Sequence, residues 1–513
     1  MALYLIAIGG SGAKGAEAMV HLAASGAVDV PEMYILFVDP DQSNGSLGRA
    51  QLAVQEYRFC QGLHTGRANN DLFRVQISTP QQAVWNPFRV PDPSLRSLFQ
   101  YDMLRQQESG RATADLMDVL YSSAERDAVL DRGFLGHPSI GAAVMAKTLD
   151  LAAEGPWREL FDRIQMDTQN GKTAHVVLMG SVFGGTGASG IPTIARLIKN
   201  ACDEKKLTRV LIGSVLMLPY FSFTPPQDKD GPLWADPRNF MYNSQMALHY
   251  YHLKNQLNES TFRAIYPLGE DRLSRMQASA LGKQEQTNEP HFIELYAALA
   301  AAHFTKDQTD GAAPMQMCRL VARGTQGLLG WPDLPGGESW QALQKKLRRL
   351  LRFAVSFVYV YRPMLQDIEQ GGRAYRAPWY IDHFERHGQS LARAATREGL
   401  VEQLNRMESY CRSLLLWWAW VQNSAPSNSP KVELVNATSY AKEIAAPDGK
   451  RLMVLKSRDE FAAEDFPQLL QPTGFSHDPD LASLWEMVSN VKVRDNADGA
   501  GWFFQALFDQ CAR

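Results

Sequence analysis

Two glycine-rich stretches carry most of the chemical potential of this chain. Gly9-Gly-Ser-Gly-Ala-Lys-Gly15 and Gly184-Gly-Thr-Gly-Ala188 each follow an apolar run and lead into a segment of helical periodicity. Glycines let a ligand approach the backbone without interference from Cβ. The N–H groups of such a turn, with the positive end of the helix behind it, form an anion site. Gly9, Gly10, Ser11 and Gly12 are the candidates in the first stretch, and Gly184, Gly185, Thr186, Gly187 and Ala188 in the second. The competing reading is a turn that only packs strand against helix. A third turn, Gly136-His137-Pro138, enters another helical pattern. Proline suits a helix start because it gives up an N–H that would be unpaired there, and His137 can donate to an anion or cap its own turn. Asp39 and Asp41 close the second apolar run. Asp39 lies about where a ribose-binding acid would, and a solvated loop carboxylate is the competing reading. Tyr242 and Asn243 offer a flat π-face and an amide that can match a purine edge; Tyr242 and Met246 could equally be a core stripe at i and i+4. Glu289 and Glu294 are carboxylates at the entry to a further helical segment. Pro290 followed by Glu294 also fits helix initiation.

The elements that must position these groups alternate. Leu3–Ile8, Tyr34–Val38, the run from Val176 and Arg209–Leu218 read as buried strands, and Thr261–Tyr266 as a further strand. Ala16–Ala24, Asp150–Asp167, Phe240–Leu253, Tyr296–Phe304, residues 338–369 and Leu400–Val421 read as helices. Alternation of this kind predicts an α/β fold with a doubly wound parallel sheet, and such sheets bind ligands at strand C-termini. We read a nucleotide-binding domain over 1–255 with an irregular insertion at 58–110. A second α+β, mainly helical domain follows over 256–423, then a linker and a C-terminal extension over 431–513. The basic run Lys345–Arg352 reads as a solvated face or a meeting point for an acidic partner or membrane surface. Trp417-Trp-Ala-Trp420 suggests a buried contact with another domain or a protein partner.

The chain has 513 residues, net charge −3 and 45% apolar residues, which describes a globular protein without a global nucleic-acid or membrane footprint. Its most apolar runs, Phe353–Tyr361 and Leu414–Val421, are about half the length of a membrane span. Met1–Ile8 reads as a first strand and not as a leader. Five scattered cysteines without metal spacing fit a reduced, cytoplasmic protein.

Taken in order, these segments resemble the tubulin and FtsZ superfamily. Gly184-Gly-Thr-Gly-Ala188 is similar to its G-G-T-G phosphate loop. Val38-Asp-Pro-Asp-Gln42 resembles its N-T-D-A-Q-like stretch, and His137-Pro-Ser-Ile-Gly141 its N-P-E-x-G turn. Pro219-Tyr-Phe-Ser-Phe223 resembles a P-F-x-F-E strand ending, and Tyr242-Asn243 part of P-Y-N-x-x-L on the long central helix. The likeness covers roughly 1–305 and is nearest to the divergent prokaryotic tubulin-like proteins. It implies GTP bound with Mg2+ near Asp39 and Asp41, Tyr242 and Asn243 reading guanine, and head-to-tail self-association into filaments. It also implies a GTPase completed by a neighbouring subunit's N-x-D-x-x-D loop, for which Glu289 or Glu294 would stand. Phe183, Ser189, Pro290 and Ile293 depart from the family pattern. A nucleotide-binding scaffold without turnover is therefore a second reading. An NAD- or FAD-dependent oxidoreductase is a third, carried by Gly10-x-Gly12-x-x-Gly15 with Asp39.

Overall fold

A computed structural model of the chain describes residues 1–63, 71–88, 93–134, 136–222, 237–270, 273–275, 288–306, 316–317, 329–333, 340–424, 434–445, 451–461 and 499–511. The first apolar run forms β1, Ala2–Ile8, buried at every position. The chain enters α1 at once, Gly9–Ala24, so the helix begins inside the glycine run and not after it. β2 spans Glu32–Val38, and α2 spans Gly45–Gly62 behind an Asn44 cap. The stretch expected to be an irregular insertion supplies two short strands, β3 (Gln76–Ser78) and β4 (Val84–Trp85), both parallel to β2. β5 (Ala174–Ser181) and β6 (Val210–Met217) are nearly or wholly buried. β7 (Phe221–Ser222) pairs with β9 (Ser274–Arg275) in a small separate sheet. β8 (Ala264–Leu268) and β10 (Gln316–Met317) extend the main sheet.

The main sheet is eight-stranded and parallel, ordered β10-β8-β6-β5-β1-β2-β3 with β4 beside β2. The chain leaves β1 toward β2 on one side and returns to β5 on the other. The order therefore reverses between β1 and β5, where parallel sheets open a ligand crevice. This architecture is the expected α/β class. A boundary at 255 does not describe the sheet, because β8 and β10 lie beyond it.

Successive residues of β1 feed two cores, as strand pleating requires. Tyr4, Ile6 and Ile8 face the helices Pro138–Thr148, Pro156–Gln169 and Gly185–Glu204. Leu3, Leu5 and Ala7 face α1, α2 and the Phe292–Phe304 helix. The second core continues into the helices Trp340–Ser356, Ala394–Ser424 and Gly501–Gln510. Phe292–Phe304 lies between the two layers, with ten buried residues including Ala297, Ala298, Ala300 and Ala301.

Several elements differ from expectation for identifiable reasons. The helix predicted from Asp150 begins at Pro156, because Gly155 sits at φ +137° and breaks the chain before a favourable N1 proline. Of the Lys345–Arg352 run only Lys345 and Lys346 are exposed. Arg348 and Arg352 are buried, and Arg349 bonds the Phe508 carbonyl at 2.9 Å and pairs with Asp71 and Asp509. The tryptophan cluster meets the chain's own elements. Trp417 packs on His21 of α1 at 4.6 Å between ring centroids, and Trp418 stacks on Trp331. Tyr242 and Met246 are not core, since the buried face of Phe240–Leu253 is Phe240, Ser244, Ala247 and Tyr251. In the C-terminal extension, β11 (Ala441–Ala445) and β12 (Arg451–Leu455) form an antiparallel hairpin. Most of the linker expected at 424–430, residues 462–498 and Cys318 lie outside the described residues.

Trp418 is fully buried at the seam between the layers. Trp418→Ala is expected to cost about 3–5 kcal/mol in urea denaturation, as truncating a buried large aromatic does.

Candidate functional site

The two glycine stretches meet at the crevice between β1 and β5. Gly9 adopts φ +70°, and a side chain there would come within 3.3 Å of Thr186 Cβ. A Cβ on Gly12 would fall 2.5 Å from the Met179 carbonyl oxygen, so α1 crosses β5 at a distance only glycine allows. Gly187 is pressed against the Ser181 backbone in the same manner.

The third turn joins them. A Cβ on Gly185 would lie 2.8 Å from Phe134 Cβ and 3.2 Å from the His137 backbone nitrogen. Gly133 and Gly136, at φ +90° and +79°, make the reversals that bring this loop in. From the other side Asn44 approaches Gly10. Its Oδ1 accepts from the backbone N–H groups of Ser46 and Leu47, capping α2. Gly10, Ser11, Gly136, His137, Pro138, Gly184 and Thr186 remain partly exposed around this meeting point.

Three helices start here: α1 at Gly9, Pro138–Thr148 and Gly185–Glu204. None has a side-chain cap or an acidic residue in its first turn. An α-helix leaves its first four N–H groups without internal partners, and nature usually supplies an oxygen for them. Three uncapped N-termini at one crevice concentrate donors and positive partial charge. His137 leans the other way: its Nδ1 lies 3.2 Å from Glu125 Oε1.

Asp39 is buried at the end of β2 and accepts the Asp41 backbone N–H at 3.0 Å. Burial, with a smaller contribution from the Asp41 charge, pushes its carboxyl up to about 7. Asp41 Oδ1 accepts from the backbone and hydroxyl of Ser43. Among the described residues no cluster of three or more His, Cys, Asp or Glu could hold a metal by protein ligands alone. Beside this loop lies a cavity of about 410 Å³ whose lining includes Gln42, Trp85, Asn86, Phe88 and Trp157.

The other sequence candidates border this crevice: the Tyr242 helix packs beside the second glycine turn, with Phe240 on Phe183 at 4.8 Å between ring centroids and the Tyr251 hydroxyl bonded to the Ala188 carbonyl, and residues 288–294 lie beside Lys14 of α1. Tyr242 is 62% exposed on the outer face of its helix, and Asn243 is half-exposed. That helix joins β6 to β8 as a crossover. The helix held between the sheet and the second layer is Phe292–Phe304. Glu294 has no exposed surface: it is ion-paired with Lys14 and accepts from Tyr220 Oη at 2.7 Å and from the His291 backbone at 2.9 Å. It is the N3 residue of a capping box with His291. A carboxylate held this way cannot enter a neighbour's site, so the catalytic assignment of Glu294 is corrected to a structural one. Glu289 is half-buried, with its carboxyl raised chiefly by burial. Its carbonyl accepts from Lys14 at 3.4 Å, and the adjoining Asn288 carbonyl accepts from Arg49 at 3.2 Å.

Sequence reading missed this polar seam. Ser11 bonds Tyr220, Tyr220 bonds Glu294, and Glu294 pairs with Lys14. Burial holds His291 down at about 3, so it is neutral and bonds Ser274 through Nε2. Glu17, fully buried beside Lys14 on α1, takes Arg49 through both oxygens at 2.8 and 2.9 Å. The available signal was Lys14 and Glu17 inside an otherwise apolar helix.

No protein-family model matches the chain, and no curated protein matches it.

Lys14→Met strands the buried Glu294 carboxylate. It is expected to cost about 3–5 kcal/mol in urea denaturation, with Lys14→Met/Glu294→Leu costing less than the single change. Asp39 supplies a pH signature. The folded chain keeps this proton to about pH 7, whereas an unexposed environment is lost on unfolding and the ordinary value is 3.8. The folded state thus binds more protons between those values, and stability falls as pH rises through that window. Asp39→Asn is expected to flatten this decline in thermal melts; an unchanged slope would count against a buried, protonated Asp39.

Proposed function

We propose that this chain is a tubulin-like nucleotide-binding protein that holds the phosphates of GTP at the crevice between β1 and β5. The observation that carries this reading is the meeting of three uncapped helix N-termini with two glycine turns. Such a site offers many backbone donors and no competing carboxylate from the helix starts. Gly10, Ser11, Gly184, Thr186 and the Gly136–Pro138 turn are the partly exposed groups around it. The Asn44 amide stands beside Gly10. Asp39 and Asp41 fit a magnesium ion shared with phosphate oxygens, because Mg2+ is commonly held by one or two carboxylates plus substrate phosphates. A buried carboxylate raised to about 7 gains from a cation beside it. Bound magnesium would neutralise phosphate charge; the protein's part is positioning.

The reading favours nucleotide as a bound ligand over assembly-coupled hydrolysis. In head-to-tail stacking, the hydrolytic carboxylate must project from the face opposite the subunit's own nucleotide. Residues 288–294 lie beside Lys14, Tyr220 and, through Tyr220, Ser11, on the same carboxyl edge as the glycine turns. Glu294 is locked in the seam. This supports the scaffold-like form of the function, in a multi-protein system or in self-association. The dinucleotide reading keeps one supporting feature, the aromatic and amide-lined cavity at the end of β2.

Calorimetry with GTP, ATP and NAD in the presence of magnesium tests the proposal. Wild type is expected to bind GTP, and Thr186→Val with Gly185→Ala to weaken binding at least about tenfold, by removing the Thr186 hydroxyl and by setting a methyl 2.8 Å from Phe134 Cβ, which displaces the third turn. Binding of NAD alone would transfer the site to the third reading, and binding of none of the three by folded protein would overturn it.

A further inference from the structure

The cavity of about 410 Å³ at the carboxyl end of β2 and β4 is built from groups that phosphate binding does not use. Three aromatic rings line it. Trp85 and Trp157 meet edge to face at 5.5 Å between centroids, and Phe88 packs edge to face on Phe134 at 6.3 Å. The backbone fixes these rings. Trp85 ends β4 as the register partner of Val38, and its carbonyl accepts the Asp39 N–H at 3.2 Å. The Asn86 amide donates to the Pro40 carbonyl at 3.1 Å and accepts the Phe88 N–H at 2.8 Å, which sets the loop that bears Phe88. Trp157 stands in the first turn of Pro156–Gln169, where Gly155 reverses the chain at φ +137°. The aromatic wall is therefore formed before any ligand arrives.

The charge of the lining has one sign. Asp150 and Glu154 are both exposed carboxylates. Asp150 Oδ1 accepts the N–H groups of Ala152 and Ala153 at 2.8 and 3.3 Å, so its carboxylate is held in place with Oδ2 left over. Gln42 and Gln82 add amide oxygens at exposed positions. No lysine, arginine or histidine is among the described lining residues. Of the cations that flank these segments in sequence, Lys147 is exposed and outside the lining, Arg158 pairs with Asp162 at 3.6 Å, and Arg89 lies outside the described residues. Helix ends do not tip the balance. Pro138–Thr148 finishes at the cavity and Pro156–Gln169 begins there, so partial charges of about half a unit and opposite sign offset one another. The two carboxylates are what remains.

We propose that this cavity binds an organic ammonium ion, with its charge toward Asp150 and Glu154 and its carbon body against Trp85 and Phe88. Aromatic faces attract cations through the ring quadrupole, tryptophan most strongly, and carboxylates add to that attraction. The volume suits a small amine and lies at the lower end of the range for ligand pockets. A phosphate-bearing ligand would be repelled by the same carboxylates. The cavity and the glycine crevice are thus opposite in charge preference, although one loop serves both: Gln42 lines the cavity and Asn44 approaches Gly10. The proposal does not rest on nucleotide binding.

Saturation-transfer NMR on the full chain at matched ionic strength tests it, with choline chloride, butylammonium chloride and the uncharged isostere of choline in which carbon replaces nitrogen. Wild type is expected to bind at least one of the two cations with a dissociation constant on the order of a millimolar, and the isostere at least about tenfold more weakly. Asp150→Asn/Glu154→Gln, at exposed positions, is expected to weaken cation binding about fivefold, with an unchanged thermal melt and unchanged affinity for the isostere. Trp85→Leu is expected to weaken it about tenfold and Trp85→Phe much less; should Trp85→Leu unfold, the carboxylate pair and the isostere decide alone. Thr186→Val/Gly185→Ala is expected to bind the cation as wild type does, whatever calorimetry finds for GTP. Folded wild type that binds neither cation would overturn the proposal, as would an isostere that binds equally well or a carboxylate variant that binds as wild type does. Displacement of the cation by NAD or GTP would give the cavity to a nucleotide and also overturn it.

Discussion

The ion pair between Lys14 and Glu294 is the constraint around which the two layers are arranged. Both side chains are withdrawn from water. Either one left alone would be an uncompensated buried charge, which is among the costliest defects a core can hold. Burial alone would drive Lys14 toward the neutral form, and Glu294 opposes that. The pair survives because Tyr220 and the His291 backbone occupy the remaining capacity of the carboxylate. The consequence is geometric. α1, which begins at the first glycine turn, and the Phe292–Phe304 helix, which bears the second layer, are fixed in register at one point.

The crevice follows from that arrangement and from the absence of side chains. α1 can begin at the last residue of β1 and cross β5 closely because Gly12 has no Cβ to meet the Met179 carbonyl. The same economy at Gly185 and Gly187 lets a third loop close over the second turn. Packing this tight leaves helix N–H groups facing one another across a small gap, so the electrostatics of the site are a by-product of backbone proximity. No helix among the described residues is long and apolar enough to cross a membrane, and two apolar cores flank the sheet.

Much of this was legible in the residues. Continuous apolar runs announced β1, β2, β5 and β6, because a parallel strand buried on both faces has no polar side to show. The glycine turns were legible for the same reason, and the structure does bring all three together. What was hidden is what depends on partners distant in sequence. Lys14 and Glu294 are 280 positions apart, and nothing local distinguishes Glu294 in a helix's first turn from a carboxylate aimed outward. Arg348 and Arg352 looked solvent-bound because charge runs usually are, yet the elements that cover them come from elsewhere in the chain. The short strands β3 and β4 carry too few residues for any periodicity. The Tyr242 helix was correctly placed as a helix, but its stripe is apolar on two faces, so the sequence could not say which one met the body.

The Phe292–Phe304 helix has one further property. Four of its buried residues are alanines. Large side chains interlock two surfaces like teeth, and displacing such surfaces means lifting each tooth from its hole. Methyl groups present a nearly smooth rod. That smooth length is held at both ends, by the Lys14–Glu294 pair at its start and by Phe304 against His175 with Tyr266 bonded to His303 at its finish, so the helix is braced against sliding along its axis.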